Sequence, residues 1–311
     1  MSGRILILGA AGRLGRAAAE AFRDAGWTVV SLVRPGAGWR VAPGTIAVED
    51  EGLHKEAVLE AAPGADIVLH ALNPPFRRWT AEAIPMAEVA IAAAQAAGAT
   101  LMFPGNLYNY GKTMPELIDE TTPMRPSGRK GALRVEIENR LRTASERGVR
   151  TIVVRAGDFY GLGRGSWFDL VIARDVSLNI VRYPGPLNVV HSWAFLPDLA
   201  RTMVRLAEVR RQFAPFETFG FPGHAVTGAE LIDAMQRALG RELRRKSFPW
   251  WMLWALSPFI AHWRELTELA YVWRMPHRIS GEKLRAAIGE IPETPFRRAV
   301  AAALDPLSRS G

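Results

Sequence analysis

Three observations in the sequence predict an α/β fold built on a doubly wound parallel sheet. The chain opens on an apolar run, Arg4-Ile-Leu-Ile-Leu8, which steps into Gly9-Ala-Ala-Gly12-Arg-Leu-Gly15 and then into an alanine-rich helical stretch, Arg16 to Ala25. The first half of the chain then alternates short apolar runs with helical patterns, as parallel strands joined by crossover helices do. The tail differs in composition: Phe248 to Ala261 (FPWWMLWALSPFIA) carries no charge and three tryptophans. Together these predict a Rossmann-like sheet with a small, mostly helical C-terminal lobe.

The expected strands are Arg4–Leu8, Thr28–Val33, Thr45–Val48, Asp66–His70, Thr100–Pro104 and Thr151–Arg155. Helical patterns lie between them near Leu14–Ala25, Leu53–Ala61, Ala81–Ala97 and Gly131–Arg147. Leu187–Val190 and Glu217–Phe219 are candidates to extend the sheet, and Pro197–Val209 and Thr227–Leu239 read as amphipathic helices. Residues 1–165 with 187–222 then form the nucleotide-binding domain, and 166–186 with 223–311 the substrate lobe.

A G-x-x-G-x-x-G triplet between a strand and a helix gives each glycine a mechanical task. One turns the chain, one lets the backbone approach a pyrophosphate, and one lets the helix pack on the strand. Phosphates then lie over the helix N-terminus, where free N–H groups and the helix dipole favour negative charge. Gly9, Ala11, Gly12, Arg13, Leu14 and Gly15 are the expected cradle of a dinucleotide. The alternative is a glycine-rich turn required only for packing.

The end of the second strand bears on cofactor choice. A carboxylate there hydrogen-bonds the adenosine ribose of NAD. This chain has Arg34 instead, which can pair bidentately with the 2′-phosphate of NADP. Arg13 and Ser31 are placed to assist, so NADP(H) is preferred and NAD(H) is the alternative. Asp50, after the third strand, reads either as an acceptor for the adenine amino group or as a helix cap. His70, Ala71, Leu72 and Asn73, after the fourth strand, are expected beside the cofactor and the substrate.

The 311 residues contain no cysteine, which excludes disulfides, zinc–thiolate sites and cysteine nucleophiles. The six histidines show no metal-ligand spacing, so no metal is expected. The net charge of +8 comes from scattered arginines with one cluster at Arg241, Arg244, Arg245 and Lys246, and no nucleic-acid motif accompanies it. The apolar stretch near Phe248 is too short to span a membrane. It reads as a buried helix or pocket wall, or, if its tryptophans are exposed, as a membrane-surface contact. A cytoplasmic monomer or homodimer acting on a small molecule is the expectation.

The order of motifs resembles the extended short-chain dehydrogenase/reductase superfamily, in its NAD(P)-dependent epimerase/dehydratase-like branch. The resemblance rests on Gly9-x-x-Gly12-x-x-Gly15, on Tyr110-Gly111 after the fifth strand, on Arg155-Ala-Gly-Asp-Phe-Tyr-Gly161, and on Trp193-Ala-Phe-Leu-Pro-Asp198-Leu-Ala200. It covers nearly the whole chain. It implies a Ser, Tyr and Lys at the active site, the Tyr as acid or base and the Lys lowering its pKa. Here the family's Tyr-Gly-x-x-Lys-x-x-x-Glu run falls on Lys130-Gly131-Ala-Leu-Arg134-Val-Glu-Ile-Glu138, and the Ser falls on Asn106. Lys130 therefore reads as a substitute proton donor or as a salt-bridged surface lysine. Arg134 keeps a fixed positive charge that can bind the nicotinamide ribose. Asn106 donates to an oxyanion or holds its loop. Tyr108 is a second candidate acid or an aromatic packed on the ligand, whereas Tyr110 reads as structural.

On the substrate side, the resemblance implies an Arg gripping a diphosphate where this chain has His191, and an Asn where it has Asp158. With Trp193 and the Trp-rich tail, this points to a less anionic, more apolar substrate. The helical stretch Arg264–Trp273 reads as a lid or a cleft wall. Two functions follow. One is hydride transfer to or from a small carbonyl or enone-type compound, for which Asn106, Tyr108 and Lys130 must converge on one cavity. The other is a redox-silent dinucleotide-binding sensor or assembly protein.

Overall fold

The computed structural model describes residues 3–308 apart from 51–53, 75–77, 258–262 and 264–265. Its frame is a seven-stranded sheet. In chain order the elements that build it are β1 (Arg4–Leu8), α1 (Arg13–Asp24), β2 (Thr28–Val33), β3 (Ile46–Glu49), α2 (Lys55–Ala61), β4 (Ile67–His70), α3 (Trp79–Ala97) and β5 (Thr100–Gly105). After β5 come the short β6 (Leu117–Ile118), α4 (Arg129–Glu146), β7 (Thr151–Arg155), β8 (Asp158–Tyr160), β9 (Ile180–Tyr183), β10 (Val190–Phe195), α5 (Leu196–Val209) and β11 (Phe216–Gly220).

The strand order is β11-β7-β5-β4-β1-β2-β3, and every pairing is parallel. The order reverses between β1 and β4, so a crevice opens there beyond the carboxyl ends of the strands. The register aligns those ends: Leu8 lies beside both Leu32 and His70, and Gly105 beside Arg155. The loops that follow β1, β4, β5 and β7 therefore share one edge.

Burial explains why near-continuous apolar runs were readable as strands. Ile5, Leu6, Ile7 and Leu8 are all fully buried, because helices cover both faces of a parallel sheet. Each such side chain contributes about 2 kcal/mol of transfer free energy. On one face α1 packs on α5, with Ala17, Ala18, Ala19 and Phe22 against Leu199, Ala200 and Met203. On the other, α3 and α4 cover Leu6, Val30, Val68 and Leu101 through Ala87, Ala90, Ile137 and Leu141.

A second core lies beside this frame. It joins Tyr160, Phe168, Val181, Trp193 and Phe195 to residues of the tail. The tail supplies β12 (His224–Thr227), α6 (Gly228–Leu239), β13 (Arg244–Ser247), α7 (Trp250–Leu256), β14 (Arg278–Ile279) and two further helices, Glu282–Ile288 and Phe296–Ser308. Thr227 starts α6 with a full capping box: its hydroxyl accepts from the Glu230 N–H, and the Glu230 carboxylate accepts in return.

Two expectations change and one holds. Leu187–Val190 does not extend the main sheet; only Val190 enters a strand, and β10 pairs instead with β8 and β12 in a separate three-stranded sheet. Glu217–Phe219 does extend the main sheet, as β11 at the edge beyond β7. The expected helix Arg264–Trp273 begins outside the described residues, and its described end is a short 3-10 turn, Ala270–Trp273. Leu53 of the second expected helix, and Pro258–Ala261 of the Trp-rich stretch, also lie outside the described residues.

Candidate functional site

The glycine loop after β1 has the shape of a phosphate cradle. Gly9 has φ +87°, and a Cβ on it would stand 2.9 Å from the Ala71 carbonyl oxygen, across the crevice. A Cβ on Gly15 would collide with the Gly9 carbonyl, which is the close helix–strand approach expected of the third glycine. Gly12 is the N-cap of α1 with no side-chain cap, and the first turn carries no acidic residue. The helix N-terminus therefore offers unpaired N–H groups and positive potential to an anion.

Arg34 stands exposed immediately after β2. Arg13 is placed differently from the expectation. Its guanidinium donates to the carbonyls of Leu162 (3.0 Å) and Gly161 (2.8 Å) and lies 3.8 Å from the Asp169 carboxylate. It ties the glycine loop to the segment after β8. Ser31 is also spent: its buried hydroxyl donates to Thr45. The Asp50 carboxylate accepts from the N–H of His54, the N-cap of α2, at 2.8 Å, and α2 has no side-chain cap.

Beyond β4 the crevice continues as a groove lined by His70, Leu72, Asn73, Trp79, Phe103 and Arg134. Arg134 projects from α4 and donates to the Pro104 carbonyl at 3.3 Å. Its guanidinium lies 4.7 Å from the centre of the Trp79 ring and 5.3 Å from that of Phe103. Burial lowers its pKa to about 10, so it remains charged at neutral pH. Burial and the Arg134 charge hold the His70 imidazole down at about 3. Asn73 accepts from the Trp79 indole at 3.0 Å. His70 Nδ1 and Arg134 Nε are buried without a hydrogen-bond partner. Orphaned polar atoms lining a groove beside the glycine loop are what a bound ribose or diphosphate would satisfy, so the residues fit a dinucleotide.

Lys130, in the first turn of α4, is buried with its ammonium 5.1 Å from the Trp79 ring centre. Gly131 beside it packs against the Tyr108 carbonyl so closely that a Cβ would collide. Lys130 thus faces Trp79 and is not among the residues lining the pocket that holds Asn106 and Tyr108, contrary to the expected convergence.

That pocket lies past the ends of β5 and β7. Asn106, Leu107, Tyr108, Ala156, Gly157, Asp158, His191, Val272 and His277 line it. Asn106 caps the short 3-10 turn after β5, its Oδ1 accepting from the Tyr108 N–H at 3.0 Å. Its amide N–H groups are left as donors. Burial, then the nearby Asp158 carboxylate, push the Tyr108 phenol well above its usual pKa, outweighing the opposite pull of Arg134. The phenol stays protonated. Asp158 pairs with His191 Nε2 at 2.9 Å. The His191 ring stacks on Trp273 (4.4 Å, 8°) and meets His277 edge-on at 4.6 Å.

A buried network supports this pocket from below. Arg155 binds Glu138 at 2.7 Å and donates to the Tyr110 hydroxyl at 3.1 Å, while the Asn109 amide donates to Glu138 at 2.7 Å. Burial opposes the charge on Arg155, but Glu138 and Tyr110 outweigh it and hold the guanidinium protonated. Tyr110 is structural, as expected.

Trp193 was expected at the substrate. It is instead a core residue, fully enclosed with ring contacts to Tyr160, Phe168, His191 and Trp273. Trp273, 2% exposed, is a core residue stacked on His191, and its neighbour Val272 lines the pocket. In the Trp-rich stretch, Trp250 is buried, but Trp251 is 72% and Trp254 45% exposed. Sequence reasoning missed Trp79 and His277. His277 carries no local signal, since the β14 segment that brings it to the pocket pairs with the distant β6.

Among the described residues, no group of three or more acidic or histidine side chains could hold a metal ion. No described helix is long and apolar enough to cross a membrane.

Residues 5–219 match the NAD dependent epimerase/dehydratase family. No curated protein matches the chain at the sequence level. Among solved structures, the chain is similar to a putative epimerase from Burkholderia cenocepacia J2315, with TM-score 0.77 and 20% identity over 99% of both chains. It is similar to a UDP-glucose-4-epimerase from Stenotrophomonas maltophila with bound NAD and formylated UDP-arabinopyranose (TM-score 0.80, 15% identity, 99% of this chain and 100% of that one). A third is the Bordetella bronchiseptica enzyme WbmH in complex with NAD+ (TM-score 0.75, 18% identity, 100% of both). At these identities the likeness concerns the fold.

Proposed function

The chain belongs to the NAD dependent epimerase/dehydratase family, and on that premise we propose that it is an NADP(H)-preferring oxidoreductase of epimerase/dehydratase-like type. Its substrate is a small, relatively apolar carbonyl or enone-type compound. The observation that carries this reading is the meeting of Asn106, Tyr108, Asp158 and His191 in one pocket at the edge of the sheet that also bears the glycine loop.

The dinucleotide supplies a hydride donor or acceptor. The chain's own residues do the rest. Gly9, Gly12 and Gly15 shape the phosphate cradle, with Ala11 and Leu14 in the same turn. Ala71 and Leu72 form the opposite wall, His70 and Arg134 hold the ribose, and Asp50 stands near the adenine. In the pocket, the Asn106 amide donates to the reacting oxygen. The Tyr108 phenol, kept protonated by burial, donates a hydrogen bond and is a poor source of protons. Asn73 borders the substrate.

The preference for NADP(H) rests on Arg34, which stands where an NAD-binding carboxylate would. Arg34→Ala is expected to weaken NADPH binding about tenfold and to leave NADH binding within twofold, since one charge-assisted pair is worth roughly 1–2 kcal/mol. Titration of the variant with each cofactor by fluorescence checks this, and equal losses overturn it.

A second reading, a redox-silent dinucleotide binder, is favoured by one observation. Lys130 and Arg134 of α4 are engaged by Trp79 rather than presented to the pocket. Binding of NADPH with no oxidation of it by any member of a ketone, aldehyde and enone panel would select that reading.

A further inference from the structure

We propose that His191, oriented by Asp158, is the acid–base residue of this pocket, and that His277 is a fixed neutral acceptor that selects a substrate carrying a hydroxyl beside the reacting carbon. This rests on the oxidoreductase reading above and narrows its substrate to secondary alcohols with a neighbouring hydroxyl and the corresponding hydroxy ketones.

The hydrogen-bond partners fix which ring nitrogens carry protons. A carboxylate only accepts, so the 2.9 Å contact to Asp158 places a proton on His191 Nε2. His277 Nδ1 lies 2.8 Å from the Met275 carbonyl oxygen, which also only accepts, so His277 carries its proton there. Burial, then the neighbouring His191, hold His277 at about 3, so it stays neutral in the ordinary pH range. His277 Nε2 is therefore a bare lone pair, and so is His191 Nδ1 in the neutral imidazole. Both are buried with no hydrogen-bond partner, in residues 1% and 0% exposed that line the pocket. Two unsatisfied acceptors on rings 4.6 Å apart call for two donors on one small ligand. A carbonyl alone supplies none; two neighbouring hydroxyls supply both.

The step balances without a further reactant. In the oxidative direction a bound oxidised dinucleotide would accept the hydride released as the substrate C–H bond breaks. The O–H bond breaks, its proton passes to His191 Nδ1, and the C=O double bond forms. The resulting imidazolium is stabilised by Asp158, which holds the ring without taking the proton. The reverse direction returns the proton from Nδ1 to the carbonyl oxygen. His277 exchanges no proton and binds the second hydroxyl. Stacking on Trp273 fixes the His191 ring plane.

The test uses the full chain with nitrogen-15-labelled histidine, saturated with NADP+. Nitrogen spectra should show His277 protonated at Nδ1 and His191 at Nε2, with His277 untitrated between about pH 5 and pH 9. A proton on His277 Nε2, or titration of His277 in that range, overturns the proposal. The probes are cis-1,2-cyclohexanediol and cyclohexanol, which differ by one hydroxyl. The diol should shift both bare-nitrogen signals at a concentration about tenfold lower than the mono-ol; equal response overturns the selecting role of His277. His277→Phe should abolish that preference.

For turnover of the diol, Asp158→Asn should lower kcat at least about a hundredfold with KM within about threefold. His191→Gln should lose turnover while still binding cofactor. If tautomers and diol preference hold but no diol yields reduced cofactor, the oxidoreductase reading fails and the hydroxyl site stands. If reduced cofactor forms and His191→Gln keeps kcat within about threefold of the parent, the acid–base assignment fails and the oxidoreductase reading stands.

Discussion

The two ends of the crevice are built from different materials. The glycine loop is shaped by backbone: a left-handed Gly9, an uncapped helix start at Gly12, and a helix brought onto the strand by Gly15. The pocket is shaped by side chains from four separate segments, Asn106 with Tyr108, Asp158, His191 and His277, resting on the buried Arg155–Glu138–Tyr110–Asn109 network. A backbone site tolerates side-chain change around it as long as the turn survives. A side-chain site depends on charges and rings that must be neutralised and packed before they can act. The two ends should therefore fail in different ways: the loop by losing ligand, the pocket by losing stability.

The largest expected effect is at the pocket's foundation. Glu138→Ala leaves the Arg155 guanidinium buried without its carboxylate and strips Asn109 of its acceptor. The loss should be about 3–5 kcal/mol, measured by urea unfolding. A loss below about 1 kcal/mol would mean that water replaces the carboxylate and that the pocket is not a side-chain site in this sense. Next is Gly12→Val at the other end. A Cβ there would stand 3.1 Å from the Gly9 carbonyl, tight but short of a collision. The domain should keep its melting temperature within a few degrees and lose at least about a hundredfold in affinity for both cofactors, roughly 2.7 kcal/mol. If Gly12→Val unfolds the chain as Glu138→Ala does, the two ends are not separable.

The same contrast explains what could be read from the sequence. The loop was legible because its constraints are local: three glycines within seven residues, flanked by a strand and a helix, say what the backbone must do. The parallel sheet was legible for a related reason, since strands buried on both faces show as unbroken apolar runs. The pocket was legible only as separate residues. His191 and Asp158 stood out one by one through their place in the family pattern, but their pairing required β10 to lie beside β8 rather than in the main sheet. Glu138 and Arg155 stood within quoted motifs, and nothing local says that they form one buried pair. Arg13 misled because it lies in the phosphate loop by sequence while its side chain turns to carbonyls about 150 positions away. Trp193 misled because an aromatic facing a core and one facing a substrate have the same neighbours in the chain.

The smallest of these effects separates the two ends by pH. His70 sits in the cofactor groove and His277 in the pocket, and burial holds both at about 3 in the folded protein, helped by Arg134 and by His191 respectively. An unfolded chain binds the same protons near pH 6.5. The folded pKa is depressed, so above pH 6.5 neither state is protonated and stability does not depend on these groups. As pH falls below 6.5 the unfolded state gains protons that the folded state refuses, and stability is lost progressively towards pH 3. At about pH 5 the loss is roughly 2 kcal/mol for each histidine. His277→Phe should remove about half of this acid sensitivity, read as the slope of unfolding free energy between about pH 7 and pH 5. Bound NADPH should flatten the part due to His70 if its Nδ1 meets the ribose, and it should leave the part due to His277 untouched. Flattening of both by NADPH alone would mean that the groove and the pocket respond as one unit, and the division between a backbone-built end and a side-chain-built end would fail.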